Sequence, residues 1–524
     1  MTADDLLIGP EQSLAIDPDW IGSEAFCWPV DPLLGPRLRY GLFESILRSV
    51  VADSANGAQR LLFARKALTI DLANRLLLQQ LHHQVSGGHI GIMVNHEPQL
   101  LPVEQDHRQQ ELFISRLDRA TPLKRWLAFH GQKQLLRGID LLHQPRPLLQ
   151  INQQPLPDDL RSQRCYRIRN PYSFLGRQQP GQMPPTHELA AITAVADRLS
   201  DTLHHLSQQL GIEPAIASCA GQQLGQYLVP QLVTAWHDAS TIADVLRQRP
   251  IDCFLGSLGG YAASLLAWLA KQYGGRVYSS IHANFDFRFS NGVDMMETIA
   301  VDRFYCISQE AAERAERLAH RFWGPLWGQS PLTTVICPMQ HHQGSADALP
   351  AIDRPAAAKP EQIMVMGMIA NPRNMQGPMA LPVQLHLEWR LCRLLVAAGY
   401  QVTYKAHPEN TWLGHERLLG LAVAIERRPL EQVWQRTDAF VIVQAQSTTV
   451  QSVILRSDRP VCFLWHPDMD PCDPLTTAEM DMRCHVVPVW QDAAHRIVFD
   501  AQFLLEALQQ PKPVSRELRY RLSR

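Results

Sequence analysis

Two polar motifs in the last quarter of the chain combine residue types that suit the binding of an anion. Each motif follows an apolar, strand-like stretch. The first consists of Lys405, His407 and Pro408, and the second of Ser447, Thr448 and Thr449. Hydroxyl groups and the free backbone N–H groups of a helix start donate hydrogen bonds to phosphate oxygens, while a lysine or a protonated histidine supplies countercharge. The two motifs together predict a phosphate-binding site.

Two apolar segments would position these motifs. Val402–Tyr404 has the β-branched and aromatic composition of a short strand, and Ala439–Val443 is an almost unbroken apolar run typical of a buried parallel strand. Open α/β sheets bind ligands at the carboxyl ends of their strands. We therefore expect two adjacent strand ends to bring the motifs into one crevice.

Each motif also has a purely structural interpretation. A proline favours extended geometry in the residue before it, so His407-Pro408 could simply end a strand. The hydroxyl cluster could cap a helix that runs from Thr449 to Arg456. Capping and phosphate binding are compatible, because the same N–H groups serve both. Lys405 could equally be a solvated lysine at the end of a strand.

Composition restricts the classes of protein that fit. The chain has 524 residues, of which 46% are hydrophobic and 19% charged, which predicts a globular protein with two or three domains. A formal charge of -2 provides no global field for nucleic acid, so we expect no nucleic-acid partner. No basic and apolar leader, membrane-span-length apolar run or C-x-x-C pair occurs in the sequence, which predicts a cytoplasmic protein with at most peripheral membrane association.

From about residue 185 onwards, strand-like and helix-like segments alternate, as expected of βαβ units and parallel sheets. Predicted strands of the first unit are 214–219, 251–256, 276–281, 302–307 and 333–337; those of the second are 362–368, 402–404, 439–443 and 460–464. The stretches 89–94 and 147–151 could add edge strands to the first unit. The predicted order is a mostly helical N-terminal extension at 1–180, a Rossmann-like domain at 181–342, a linker at 343–360, a second Rossmann-like domain at 361–485 and C-terminal helices at 486–524.

The second unit resembles the GT-B glycosyltransferases of bacterial capsule and surface-polysaccharide synthesis. In the families that use CMP-activated sialic acid or Kdo, a His-Pro motif and a later Ser-Ser/Thr motif bind the nucleotide phosphate, and His407-Pro408 and Ser447 to Thr449 match them. The CDP-glycerol polymerases of teichoic acid synthesis carry a Lys-x-His-Pro stretch that Lys405 to Pro408 resembles. The resemblance implies an α/β protein of two tandem doubly wound domains, with the nucleotide donor in the second and the acceptor in the first.

Candidate catalytic and acceptor-side residues follow the strands of the first unit. An inverting transfer needs a general base for the acceptor hydroxyl, and His282 or Asp286 is the candidate, with Asp294 and Glu297 as alternatives. The acidic motif of the families named above has no clean match. Ser257 and Asn284 are candidate acceptor contacts, and Arg373, in the turn after the strand at 362–368, is a candidate contact for the donor.

The expected activity is metal-independent transfer of a sugar from a nucleotide-activated donor, preferably CMP-linked, to a glycan or lipid-linked saccharide acceptor. The nucleotide sugar is a substrate in this scheme, and no cofactor or metal is expected. Alternatives are a CDP-glycerol-type glycerophosphotransferase, a nucleotide-sugar epimerase, and a non-catalytic binding subunit of a polysaccharide assembly complex.

Overall fold

The structure, a computed structural model, describes residues 18–28, 31–53, 56–70, 72–74, 76–77, 148–150, 156–161, 165–167, 183–248, 250–255, 260–280, 300–306, 309, 312–313, 315–316, 333–336, 360–369, 379–407, 410, 414–443, 454–455, 457, 459–469 and 474–512. Within these residues the chain forms two separate, predominantly parallel sheets, with helices packed on them. The predicted α/β class is therefore confirmed.

The first sheet has six strands, all paired in parallel, in the order β2-β1-β3-β4-β5-β6. Its strands are β1 (Leu148–Gln150), β2 (Cys165–Arg167), β3 (Asp252–Leu255), β4 (Val277–Ser280), β5 (Arg303–Cys306) and β6 (Thr333–Ile336). The strands predicted at 251–256, 276–281, 302–307 and 333–337 are confirmed. β1 agrees with the strand expected at 147–151, but it lies between β2 and β3 rather than at the edge, and the stretch 89–94 lies outside the described residues.

The second sheet has seven strands in the order β13-β12-β11-β10-β7-β8-β9, and only its β12–β13 pair is antiparallel. Its strands are β7 (Gln362–Met366), β8 (Gln401–Lys405), β9 (Val423–Glu426), β10 (Ala439–Ile442), β11 (Val461–Trp465), β12 (His485–Gln491) and β13 (Ile497–Phe499). Side chains alternate between two apolar clusters, as period-2 strands covered on both faces require. Val365 and Val441 lie in one cluster, whereas Met364 and Phe440 lie in the other.

The helices lie between and beside these strands. The described helices are α1 (Pro18–Ile21), α2 (Leu34–Ala52), α3 (Gly57–Ala64), α4 (Asp158–Arg161), α5 (Thr186–Gln209), α6 (Pro214–Gln248), α7 (Tyr261–Gln272), α8 (Leu381–Ala397), α9 (His415–Leu419), α10 (Pro474–Arg483) and α11 (Ala501–Ala507). α5 and α6 pack against each other along their lengths, and α2, α3 and α7 join them in one apolar core.

Two predictions of secondary structure were wrong. Residues 214–219 begin α6 rather than a strand, because Pro214 suits a first helical position and the apolar residues continue at helical spacing through Ala217, Ala220 and Leu224. Residues 486–499, expected to be helical, form most of β12 and all of β13. In β12, Val487 and Val489 are buried while the residues between and beyond them are more exposed, which is the alternation of a strand.

The first described segment of the chain packs on the second sheet rather than the first. Ile21, Phe26 and Trp28 belong to the apolar core that contains β7, β8 and α8. His386 of α8 donates its Nδ1 proton to the carbonyl of Ile21 at 2.7 Å, since a carbonyl can only accept. The chain then enters α2, whose apolar face belongs to the core of the first sheet, so residues 18–52 contact both halves of the molecule.

Candidate functional site

The carboxyl ends of three parallel strands form the edge where the two polar motifs were predicted to meet. In the register of the second sheet, Lys405 of β8 pairs with Met366 of β7, and Met366 pairs with Ile442 of β10. The strand ends are therefore level with one another. They are not adjacent as expected, because β7 lies between β8 and β10 and separates their backbones by roughly 10 Å at the usual strand spacing. The end of β7 at Met366 therefore lies between Lys405 and Ile442.

Lys405 is the last residue of β8 and is only 4% exposed. Its ammonium group donates a hydrogen bond to the carbonyl oxygen of Ala406 at 2.8 Å. The interpretation of Lys405 as a solvated lysine was therefore wrong. A buried ammonium is expensive to desolvate, so its position at the strand end is held by specific contacts rather than by water.

His407 is the first residue beyond the ladder of the second sheet. Ala406 N–H still donates to the carbonyl of Glu426 on β9 at 3.0 Å, whereas the carbonyl of His407 accepts from the N–H of Asn410 at 3.1 Å. The chain thus leaves the sheet and turns at His407, which is partly buried. This is the position at which an open α/β sheet places ligand-binding side chains.

The other residues predicted from the sequence lie outside the described residues. They are Pro408, Ser447, Thr448, Thr449 and Arg373 of the second unit, and Ser257, His282, Asn284 and Asp286 of the first, together with the alternatives Asp294 and Glu297. Their roles stay predictions. Val443, just after β10, is described and buried, so the chain approaches the hydroxyl cluster from the level of Met366 and Lys405.

A buried carboxyl group, which sequence reasoning missed, lies beneath this edge. Glu388 of α8 is fully buried, and its Oε1 accepts the backbone N–H of Met368 at 3.0 Å and the side-chain amide of Gln384 at 3.2 Å. Its Oε2 accepts the phenol proton of Tyr404 at 2.7 Å, and the phenol oxygen is also 3.3 Å from Nε2 of His415. Glu388 therefore links Met368, just after β7, to the β8 strand.

The electrostatic setting of Glu388 is unusual for a carboxyl group. Burial raises its pKa to about 7, although its hydrogen bonds to Met368, Tyr404 and Gln384 act in the opposite direction. Burial also raises the pKa of Tyr404 well above its ordinary value, and the adjacent carboxyl adds to that effect. The Tyr404 phenol therefore keeps its proton and acts as a donor, whereas Glu388 can gain or lose a proton near neutral pH.

Gly367 is required at the end of β7 by the same cluster. A Cβ atom at this position would lie 2.0 Å from the phenol oxygen of Tyr404, far closer than any real contact. The N–H of Gly367 donates to the carbonyl of Lys405 at 3.1 Å, so the backbone is held against β8. Only glycine allows this approach of the backbone at the end of β7 to the Tyr404 phenol.

An arginine anchors the segment that leads out of the hydroxyl motif. Arg483, fully buried at the end of α10, donates from Nε to the carbonyl of Leu455 at 2.9 Å and from Nη2 to that of Arg459 at 3.0 Å. Its Nη2 also donates to the carbonyl of Ser457 at 2.5 Å. Ile454 and Leu455 are helical, so this guanidinium satisfies carbonyls at the end of a helical segment, where a cation is favourable.

Metal-binding clusters and membrane-spanning helices were also sought in the described part of the chain. No group of three or more His, Cys, Asp and Glu side chains that could hold a metal ion occurs among the described residues. None of the described helices combines the length and apolar character needed to cross a bilayer.

Comparison with known proteins adds little to this geometry. The sequence matches no protein-family model and no curated protein. Among solved structures, the chain is similar to a UDP-glucosyltransferase from Polygonum tinctorium, described as capable of glucosylating indoxyl and 3,4-dichloroaniline. The identity is 10%, the match covers 72% of this chain and 92% of that chain, and the TM-score is 0.31. At that score the similarity carries no argument about activity, and the site must be interpreted from its own residues.

Proposed function

We propose that the chain is a glycosyltransferase that binds a nucleotide-activated sugar, preferably CMP-linked, at the carboxyl edge of its second sheet. One observation carries the proposal: the register that puts the ends of β7, β8 and β10 level, with His407 just beyond the ladder. A partly buried imidazole at a strand end, beside a buried ammonium, is a suitable partner for a phosphate.

In this proposal the leaving nucleotide phosphate is stabilised by groups that the fold holds in place before the substrate arrives. Lys405 supplies positive charge at the end of β8, and His407 is placed where the chain turns out of the sheet. Ser447, Thr448 and Thr449 would add hydroxyl and backbone N–H donors, with Arg373 and Pro408 nearby. Such preorganised donors act mainly on the charge that develops in the transition state.

The first sheet would hold the acceptor, a surface polysaccharide, another glycan or a lipid-linked saccharide. His282 and Asp286 are the proposed general bases for its hydroxyl group, and Ser257 and Asn284 its proposed contacts. The proposed reaction is metal-independent and uses no cofactor, since the nucleotide is the leaving group itself.

Calorimetric titration with CMP, CDP, UDP and GDP tests the proposal. We expect CMP to bind most tightly, and we expect the double variant Ser447→Ala, Thr448→Val to weaken binding while the far-UV circular dichroism spectrum stays unchanged. Tighter binding of CDP would favour the CDP-glycerol-type phosphotransferase. Absence of binding for all four nucleotides would rule out a nucleotide site at this edge.

A further inference from the structure

A histidine that follows β11 lies at the same edge of the second sheet as the candidate phosphate site. β11 pairs with β10 in parallel, with Phe463 opposite Ile442, and β11 ends at Trp465. His466 is therefore the first residue beyond the carboxyl end of a strand that lies roughly 5 Å from β10 at the usual strand spacing. Open α/β sheets bind ligands at this edge, so His466 has a suitable place in the fold for a ligand contact.

The imidazole of His466 is oriented by the turn that follows β11. Its Nδ1 accepts the backbone N–H of Asp468 at 3.0 Å, and its carbonyl accepts the N–H of Met469 at 3.0 Å. An imidazole nitrogen that accepts a hydrogen bond carries no proton, so the proton of the neutral ring is on Nε2. None of the described contacts engages Nε2. The turn thus presents an N–H donor rather than an acceptor.

Burial keeps the His466 ring neutral. It lowers the pKa of His466, and Arg37 acts in the same direction, although the carboxylates of Asp468 and Asp31 act in the opposite direction. A protonated ring would also lose the hydrogen bond from Asp468, because Nδ1 could no longer accept. At neutral pH the side chain is therefore an uncharged donor, and it is 20% exposed, so a ligand can reach it.

Arg37 connects this turn to the first half of the molecule. Its Nε donates to Oδ2 of Asp468 at 2.8 Å, with Nη2 2.7 Å from the same oxygen, and its Nη1 donates to Asp31 at 2.9 Å. Arg37 lies on α2, whose apolar face belongs to the core of the first sheet. Tyr40 of α2 donates from its hydroxyl to the carbonyl of Met469 at 3.4 Å. The turn after β11 is thus where the edge of the second sheet meets the first half.

The position and the charge state of His466 together indicate the kind of group that it contacts. In the proposed function the phosphate lies between the ends of β8 and β10, and the sugar to be transferred must extend from it towards the acceptor in the first half. The side of the edge that α2 contacts is therefore the side for the sugar. An uncharged N–H donor near two carboxylates suits a neutral oxygen, such as a sugar hydroxyl, better than a phosphate.

We propose that His466 binds the sugar of the nucleotide-activated donor, through a hydrogen bond from its Nε2–H to a hydroxyl oxygen of that sugar. This inference rests on the proposed function and deepens it, because it assigns recognition of the sugar and recognition of the nucleotide to different residues. His407 and the hydroxyl motif determine the affinity for the nucleotide in this scheme, whereas His466 determines the affinity for the sugar attached to it.

The test compares an activated sugar with its free nucleotide by calorimetry on the full chain. CMP-sialic acid, CMP-Kdo and UDP-glucose are titrated first, and the one that binds the wild-type chain most tightly is then used with its matching CMP or UDP. His466→Asn removes the donor at Nε2 but keeps the turn, because an asparagine side chain accepts from the backbone two residues on. His466→Gln extends an amide N–H to about the position of Nε2.

His466→Asn should weaken binding of the activated sugar by about 3- to 10-fold, as for loss of one hydrogen bond between neutral groups, and should leave binding of the free nucleotide unchanged. His466→Gln should restore most of the lost affinity for the activated sugar. His485→Asn is the matched control, because His485 begins β12 at the opposite, amino edge of the same sheet. This variant should bind both ligands as the wild type does.

The outcomes separate this inference from the proposed function. If the wild-type chain binds the free nucleotide, equal affinity of the wild type and His466→Asn for the activated sugar would overturn the inference alone. Equal weakening of the activated sugar and the free nucleotide in His466→Asn would do the same. No binding of any probe by the wild type would overturn both. Far-UV circular dichroism checks each fold, and His466→Phe, which keeps a ring of similar size, replaces His466→Asn if that variant is unfolded.

Discussion

Tyr404 donates a 2.7 Å hydrogen bond to Glu388, and this contact joins β8 to α8 beside Gly367 at the end of β7. Glu388 also accepts the backbone N–H of Met368, so one side chain links the residues just after β7 to the strand that ends at Lys405. This cluster adjoins the first polar motif directly, because the N–H of Gly367 also donates to the carbonyl of Lys405 at 3.1 Å.

Replacement of Gly367 by alanine should destabilise the fold. Its Cβ would lie 2.0 Å from the phenol oxygen of Tyr404, and such overpacking costs on the order of 1–3 kcal/mol. Urea unfolding measures the change. The control is Gly57→Ala at the start of α3, where a Cβ would meet nothing within 4 Å and stability should be unchanged or slightly higher. An unchanged unfolding midpoint for Gly367→Ala would contradict the packing described.

Glu388→Gln should remove part of the pH dependence of stability. Burial raises the pKa of Glu388 to about 7 from 4.5, so the folded chain binds more protons than the unfolded chain between these pH values. The stabilising contribution of Glu388 to the free energy of unfolding is therefore fully present below pH 4.5 and is lost as the pH rises through 7. Relative to the wild type, Glu388→Gln should gain stability from pH 5 to pH 8, by up to a few kcal/mol in order of magnitude.

The measurement for Glu388 is the free energy of unfolding at several pH values between 5 and 8. Glu506→Gln is the control, because Glu506 is an exposed residue of α11 that accepts from Gln502. Replacement of this exposed side chain should change the free energy of unfolding by no more than about 0.5 kcal/mol. A difference between Glu388→Gln and the wild type that stays constant from pH 5 to pH 8 would show that Glu388 does not titrate in this range.

His386 should make the attachment of the N-terminal segment sensitive to acid. Burial lowers the pKa of His386 to about 4 from 6.5, and its Nε2 is buried with no hydrogen-bond partner. The unfolded chain therefore binds more protons between these values, so stability falls as the pH drops from 6.5 through 4. His386→Phe keeps the stacking on Phe26, at 4.4 Å in the wild type, and loses the hydrogen bond to Ile21.

Limited proteolysis at pH 7 and pH 4.5 measures this effect. The wild-type chain should release its first residues faster at the lower pH, whereas His386→Phe should show a smaller ratio between the two rates. An equal ratio in the two chains would assign the acid sensitivity to other groups.

Arg483→Met should lower the free energy of unfolding by on the order of 3 kcal/mol or more. The carbonyls of Leu455, Ser457 and Arg459 would lose their buried donor, and an unpaired buried group costs about 1–3 kcal/mol. Chemical denaturation measures the loss. Arg48→Gln, which removes an exposed i,i+4 pair with Glu44, should change stability by no more than about 0.5 kcal/mol. A similar loss in the free energy of unfolding for the two variants would contradict the stabilising role of the Arg483 hydrogen bonds.

The strands of both sheets could be predicted wherever an apolar run was continuous, as in Ala439 to Ile442, because both faces of those strands are covered. The order of the strands could not be predicted. β7 lies between β8 and β10, and this arrangement depends on contacts between residues that are distant in sequence. Residues 214–219 were misassigned because a short apolar run fits both a strand and a buried helix.

Glu388 was missed for a related reason. Its partner Tyr404 is 16 residues away on another element, so the pair exists only once α8 packs on β8. A signal was present: Glu388 is a carboxylate at helical spacing from Leu385, Leu391 and Cys392, all of them buried. A charged residue on the apolar face of a helix indicates a buried polar partner.

Titration of CMP into the wild-type chain and His407→Ala tests the central claim most directly. His205→Ala is the control, because His205 is an exposed residue of α5, on which no nucleotide is proposed to bind. We expect His407→Ala to weaken CMP binding by on the order of 10²-fold, as loss of a preorganised partner of phosphate charge commonly does, and His205→Ala to bind as the wild type does. Equal CMP affinity in all three chains would contradict the assignment of His407 to the nucleotide phosphate.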